Sequence, residues 1–269
     1  MSSPLIIASR QNPRFKALRK LAGDPARTGL AIADGIHLVA ACIDCGVAVQ
    51  QLLVSESGMR NIEVSGLLAQ GRNAECLYFS DALFREITGI AAPTGIAAVF
   101  APPRPEASVL HGDAVLLDSV QDAGNVGTIL RSAAAAGVVD VLLGPGCAGA
   151  WTMKVLRAAQ GAHFSLQIRE QADLLAAVRA SAVMSVATVA CEGQDLYQLD
   201  LSGPVLWLLG SEGAGLSPSL RAAAGAAITI PIAAATESLN VAATAAVCLF
   251  EARRQRRQTK RPAPGGPSR

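Results

Sequence analysis

Aromatic residues make up only 4% of this 269-residue chain and charged residues only 16%. An interior built on rings is therefore excluded. The 51% of hydrophobic residues must instead pack Ala, Val, Leu and Ile in close α/β layers. No apolar run approaches the ~20 residues of a membrane span, and Met1 to Arg10 holds too short an apolar stretch for a signal peptide. A cytoplasmic location is expected. The cysteines (Cys42, Cys45, Cys76, Cys147, Cys191 and Cys248) are scattered, and a chain of this size needs no disulfide staples. Cys42-x-x-Cys45 has no second Cys/His pair at metal spacing and lies in a helical stretch, so no metal site is expected.

The net charge of +2 is small, but the cations are clustered. Arg10, Arg14, Lys16, Arg19, Lys20 and Arg27 crowd the first segment, and Arg253, Arg254, Arg256, Arg257, Lys260 and Arg261 the last. Either cluster alone is explained equally well by a solvated helix face. Two basic ends around a near-neutral middle favour a polyanionic partner.

The length favours two compact units. Residues 12–23 predict a basic helix, followed by strands at 29–33, 49–54 and 76–79 and helices at 37–45 and 61–69. After an apolar strand at 96–100, Pro102, Pro103 and Pro105 mark a linker. The alternation then restarts: strands at 114–118, 139–143, 184–190, 205–209 and 228–232, helices at 126–136, 174–181 and 241–257. Short apolar strands without polar alternation predict a parallel sheet covered on both faces. The expected divisions are an N-terminal domain over 1–105, a catalytic domain over 106–257 and a basic disordered tail over 258–269.

Three segments carry candidate chemistry. In Leu117-Asp118-Ser119-Val120-Gln121-Asp122-Ala123-Gly124-Asn125-Val126-Gly127 a strand ends, a polar turn follows and a helix starts, with Asn125 as the expected N-cap. Along that helix Val126, Ile129, Leu130, Ala133, Ala134 and Gly137 form a buried stripe. Arg131 lies off it, which suits a surface salt bridge and a site residue equally. Leu209-Gly210-Ser211-Glu212-Gly213-Ala214-Gly215 follows a second strand, where glycines permit positive φ or close ligand approach, or simply turn the chain. In Ile230-Pro231-Ile232 and Glu237-Ser238-Leu239-Asn240-Val241, Ser238 and Asn240 precede a helix, so capping alone accounts for them without excluding a role.

In this order and spacing, Asn125-Val126-Gly127 with Arg131, Gly210-Ser211-Glu212-Gly213 with Gly215, and Ser238-Leu239-Asn240-Val241 resemble the signature motifs of the SpoU/TrmH RNA 2′-O-ribose methyltransferases of the SPOUT superfamily. The N-terminal half, with Ser9-Arg10-Gln11-Asn12-Pro13 and Asp34-Gly35-Ile36-His37-Leu38-Val39, is similar to the substrate-binding domain that often precedes them. The resemblance implies an N-terminal α/β, ribosomal-protein-like RNA-binding domain. It also implies a C-terminal SPOUT α/β domain with a parallel sheet and a deep trefoil knot, a homodimer and S-adenosylmethionine as cofactor. Leu209, Gly210, Glu212, Gly213, Ile230, Ile232 and Leu239 would bind the cofactor. Asn125, Arg131, Glu212, Ser238 and Asn240 would form the catalytic cluster, and Arg10, Arg14, Lys16, Arg19 and Lys20 would meet RNA. The implied substrate is ribosomal RNA, with tRNA as the alternative.

A sulfonium methyl is already activated, so such an enzyme mainly aligns a ribose 2′-oxygen and assists loss of its proton; neither task needs a metal. The family pattern assigns the 2′-hydroxyl to Arg131. Arginine, ordinarily protonated up to pH ~12, is a poor base, so a substrate phosphate takes the proton or the guanidinium orients the hydroxyl. Glu212 is positioned by the pattern to fix that guanidinium. Ala123 stands where the family commonly has proline, and Ala159 where serine is frequent. Two other readings compete. Gly144-Pro145-Gly146-Cys147-Ala148-Gly149 matches G-x-G-x-x-G, with Glu170 beyond it, as in NAD-dependent oxidoreductases, but it leaves the three segments unexplained. A non-catalytic RNA-binding protein would need only the basic ends.

Overall fold

A computed structural model describes residues 4–105 and 109–259. By packing, the chain divides into two units, one of Met1–Arg104 with Gly149–Phe164 and one of Pro105–Ala148 with Ser165–Arg269.

The first unit opens with β1 (Ile6–Ile7) and α1 (Pro13–Gly23). Asn12 caps α1 by accepting the Arg14 N–H at 2.9 Å, and Pro13, with no N–H to leave unpaired, fits the first turn. Then come α2 (Pro25–Thr28), β2 (Ala31–Asp34), α3 (Ile36–Asp44), β3 (Val49–Ser55), α4 (Ile62–Gln70), β4 (Glu75–Phe79), α5 (Asp81–Thr88) and β5 (Ile96–Phe100). The mixed sheet has the order β1-β4-β3-β5-β2, with β5 antiparallel to both neighbours. Neighbouring residues on a strand serve opposite faces. Leu53, Ala97 and Val99 join Phe15, Leu18, Leu83 and Phe84 of α1 and α5, while Leu52, Ala98 and Ile96 join Val39, Val64 and Leu67 of α3 and α4.

The second unit begins with β6 (Ala114–Asp118), α6 (Ala123–Ala136) and β7 (Asp140–Leu143). The chain then contributes α7 (Met153–Ala159) to the first unit, where it packs against β2, and returns with β8 (Gln167–Arg169), α8 (Leu174–Ala180), β9 (Met184–Thr188), β10 (Gln194–Asp195), β11 (Val205–Gly210), α9 (Pro218–Ala223), β12 (Ala226–Thr229) and α10 (Val241–Thr259). These strands form one parallel sheet, β10-β12-β9-β11-β6-β7-β8. Every residue of central β11 is buried, as a strand covered on both faces requires. Leu174, Val178 and Leu220 of α8 and α9 join Leu116, Leu206 and Leu208 of the sheet in one core cluster. Helices α6 and α10 pack on each other.

Three expectations shift locally. Helix α6 starts at Ala123 because Asp122, not Asn125, caps it, accepting the Asn125 N–H at 2.8 Å. Gly137 is not a stripe position but the left-handed C-cap, at φ 88°. Strand β12 stops at Thr229, short of Pro231, which has no N–H for the ladder. Helices α2, α5 and α7 and the short strands β1, β8 and β10 lie outside the predicted elements. The expected basic tail starts at 258; α10 runs through Thr259, and the remainder lies outside the described residues.

Candidate active site

In an open parallel sheet, ligands bind beyond the carboxyl ends of the strands, where no ladder consumes the loop backbones. At that edge of the second unit β6 ends at Asp118, β11 at Gly210 and β12 at Thr229. Each of the three motif segments leaves from one of these ends.

The loops meet through side chains. Asp122 sets the first turn of α6 so that the Asn125 side chain is free for other work. Its Nδ2 donates to Glu212 Oε1 at 2.5 Å, and its Oδ1 accepts from Asn240 Nδ2 at 3.0 Å. Asn240 in turn accepts the Ala242 and Ala243 N–H groups on Oδ1, at 2.9 and 3.3 Å, capping α10. The amide orientations follow from the ends of this chain. Glu212, when ionised, can only accept, and the α10 N–H groups can only donate, so both amides must point one way. Residues separated by 87 and 115 positions are thus joined in one polar line.

Glu212 rides on a loop that closes over the end of β11. Ser211 and Gly215 exchange backbone hydrogen bonds at 3.1 and 3.0 Å, and Gly215 takes φ 68°. A β-carbon on Gly210 would lie 2.1 Å from the Gly215 carbonyl carbon, so only glycine fits there. Gly213 is open, with nothing within 4 Å of a β-carbon. Ile230 and Ile232 are half-buried and Leu239 is 38% exposed, so each keeps some apolar surface open. Leu209 is buried in β11, backbone included, and lies beneath the loop without an exposed surface of its own.

Arg131 is exposed on α6 and, among the described residues, has no hydrogen bond or ion pair, which removes the surface salt bridge as its explanation. The expected grip of Glu212 on Arg131 is not what the carboxylate makes; its partner is Asn125. Ser238 is exposed and makes no hydrogen bond among the described residues.

The N-terminal cations lie apart from this cluster in sequence, on and beside α1 of the first unit. Arg10 and Arg19 share Glu86, at 2.6 and 3.1 Å, Arg14 pairs with Glu75 at 2.6 Å, and Lys16 donates to Gln11 at 2.7 Å. Lys20 has no partner among the described residues. Such solvated pairs contribute little to stability. Sequence reasoning missed these two glutamates because they arrive from β4 and α5. It also missed the Asp122 cap, whose signal was an acid three residues before Asn125.

The glycine-rich segment 144–149 opens no helix. Its Ala148 N–H is tied to Val120 O at 2.9 Å and α7 starts only after Thr152, so its amides form no phosphate cradle at a helix N-terminus. Cys42 is buried within α3, and burial pushes its thiol up to about 12, the behaviour of a core residue and not of a thiolate ligand.

Residues 113–250 match the SpoU rRNA Methylase family, and residues 12–98 the MRM3-like substrate binding domain. The chain is similar to the 23S rRNA (guanosine(2553)-2′-O)-methyltransferase RlmP of Bacillus subtilis, at 30% identity over 92% of this chain and 98% of that protein. It is 35% identical to the 23S rRNA (guanosine-2′-O-)-methyltransferase RlmB of Shewanella oneidensis, over 53% of this chain and 59% of that one. Among solved structures it resembles the AdoMet-bound rRNA methyltransferase from Sinorhizobium meliloti, with TM-score 0.82, 30% identity, and 93% and 97% of the two chains covered. It also resembles the SpoU methyltransferase AviRb from Streptomyces viridochromogenes in complex with AdoMet, with TM-score 0.80, 28% identity, and 92% and 100% covered.

Proposed function

We infer, from the premise that this chain belongs to the SpoU rRNA methylase family, that it transfers the methyl group of S-adenosylmethionine to a ribose 2′-hydroxyl of ribosomal RNA. The observation that carries the reading is the Asn240–Asn125–Glu212 line, which joins three distant loops on the helix that also presents an unpaired arginine.

The residues present suit the cofactor. Bare backbone at Gly213 and half-exposed Ile230, Ile232 and Leu239 offer amides and apolar surface to an adenosine, the mixture a small-molecule site needs. When bound, S-adenosylmethionine supplies a methyl group already activated by its sulfonium. The chain's own work is then to orient. Gly213 presents backbone, buried Leu209 and Gly210 form the floor on which the loop turns, Glu212 is held by Asn125, and Arg131 reaches out to bind the substrate phosphate, orient the 2′-hydroxyl and stabilise its developing negative charge. Asn240 and Ser238 complete the polar cluster. Only RNA offers a 2′-hydroxyl, so the same geometry discriminates against DNA.

The finer assignments extend this reading. Residues 1–105 are the RNA substrate-binding domain, where Arg10, Arg14, Lys16, Arg19 and Lys20 exchange glutamate for phosphate; residues 106–257 are the methyltransferase domain, with a trefoil knot. The protein works in the cytoplasm as a homodimer. Support for the dimer comes from α10, whose outward face carries Ala243, Ala246, Val247 and a 46% exposed Phe250, beside residues 233–240, which are exposed in the single chain.

Mapping 2′-O-methyl marks on total RNA with and without the protein tests the function. A mark on ribosomal RNA should vanish without it and return with the wild type. Arg131→Ala should bind S-adenosylmethionine but transfer no methyl. An unchanged map, or full transfer by the variant, would reject the reading.

A further inference from the structure

Asp118 touches both ends of the loop that carries Glu212, and the polar line described above does not use it. Its backbone lies beside Gly210 in the β6–β11 ladder, where the chain leaves the sheet for residues 211–217. Its side chain reaches the other end, Oδ2 accepting the Ser217 N–H at 2.7 Å across 99 residues of sequence. Ser217 precedes α9 without making a side-chain cap of its own, so the carboxylate from β6 supplies the polar hold on this exit, next to Leu216, which packs on the core cluster. The second oxygen stands 3.5 Å from the Ser119 hydroxyl, which also reaches the Pro145 carbonyl at 3.2 Å. Ser119 sits at φ 58°, a conformation that a non-glycine residue keeps only where its surroundings hold it.

We propose that Asp118 is a positioning residue whose carboxylate ties the exit of loop 211–217 back to the strand ends from which the loop starts, holding Glu212 against Asn125 and giving the cofactor a preformed surface; this rests on reading that surface as the S-adenosylmethionine site. Glu212 is exposed in a turn that the Ser211–Gly215 bonds close, and its bond to Asn125 must still be made against the freedom of that turn to move as a whole. A charge-assisted bond at the far end removes much of that freedom before the cofactor arrives, and preorganisation of this kind appears as affinity.

Calorimetric titration of S-adenosylmethionine into the full chain, with methyl transfer to ribosomal RNA measured alongside, tests the clamp. Asp118→Ala should weaken binding and raise the cofactor KM about tenfold or more, the effect of one lost charge-assisted hydrogen bond, with a smaller change in kcat. Asp118→Asn keeps an acceptor for the Ser217 N–H and should recover affinity to within about threefold. Ser217→Pro deletes the donor instead, at a backbone φ of −57° that already suits the ring, and its Cδ pushes the carboxylate away; it should weaken binding at least as much as Asp118→Ala and carries the test if that variant does not fold. Combined with Glu212→Ala, Asp118→Ala should add little further loss, because both act through the same loop. Wild-type affinity in Asp118→Ala and Ser217→Pro, additive losses in the double variant, or an Asn no better than Ala overturns the proposal. Amide hydrogen exchange across residues 211–217 reads the clamp without cofactor. Exchange that accelerates in Asp118→Ala, in a chain that binds no S-adenosylmethionine, would refute the site reading while leaving the clamp.

Discussion

Asp34→Asn should make the first unit more stable at pH 8 than at pH 3 relative to wild type, by about 3 kcal/mol. The Asp34 side chain is 3% exposed at the end of β2, and its Oδ1 is buried without a hydrogen-bond partner. The nearest cation, Arg157 of α7, stands 3.9 Å from Oδ2 and also donates to Thr88 O. Desolvation outweighs this distant guanidinium and lifts the carboxyl from its ordinary 3.8 to about 6. Between those values the folded protein keeps a proton that the unfolded chain releases, so stability falls as pH rises through the window. Each tenfold change in proton affinity corresponds to about 1.4 kcal/mol, which gives the figure above. The amide also leaves one buried polar group unpaired at a cost of about 1–3 kcal/mol, but that cost does not vary with pH and cancels in the difference between the two pH values. His163, in the same unit, runs the other way. Its Nε2 donates to Ala150 O at 2.7 Å and its Nδ1 is buried without a partner, so burial pushes the ring down to about 4. Its stabilisation is present above pH 6.5 and lost as pH falls towards 4, flattening the wild-type curve. Only the difference between variant and wild type isolates Asp34. Urea unfolding followed by Trp151 fluorescence, in a Trp207→Phe background, reports this unit alone, because the two tryptophans lie in different units. A difference that is constant with pH, or that grows as pH falls, would show an Arg157-stabilised carboxylate and refute the reasoning.

Replacing Asn125 with Asp sets a second carboxylate against Glu212 at the 2.5 Å contact. Methyl transfer at neutral pH should drop about a hundredfold and recover in part on acidification as the pair takes up a proton; a pH–rate profile parallel to wild type would argue against the line as a working unit. Phe250→Glu charges the exposed face of α10 without touching the core and should give a monomer that transfers no methyl, so a dimer persisting in sedimentation equilibrium would move the interface elsewhere.

Periodicity made much of the second unit legible. Val126, Ile129, Leu130 and Ala133 are buried at the spacing that marks one helix face, and the apolar run of β11 is covered on both sides. What stayed hidden depended on partners remote in sequence. The cations around α1 read as free charge until Glu75 and Glu86 came beside them. Nothing local says that Arg157, within the stretch matched to the methylase family, would pack in the first unit beside Asp34.

The site itself was legible as residues but not as roles, and Asn240 shows why. A residue before a helix is explained by capping, and capping is what its Oδ1 does. Yet an amide that spends its oxygen on a helix must present its nitrogen elsewhere, and here that nitrogen meets Asn125. The positive end of α10 therefore sets the direction of every hydrogen bond from Asn240 to Glu212. Helix capping and site assembly are one arrangement, so a cap and a functional residue were never alternatives at this position.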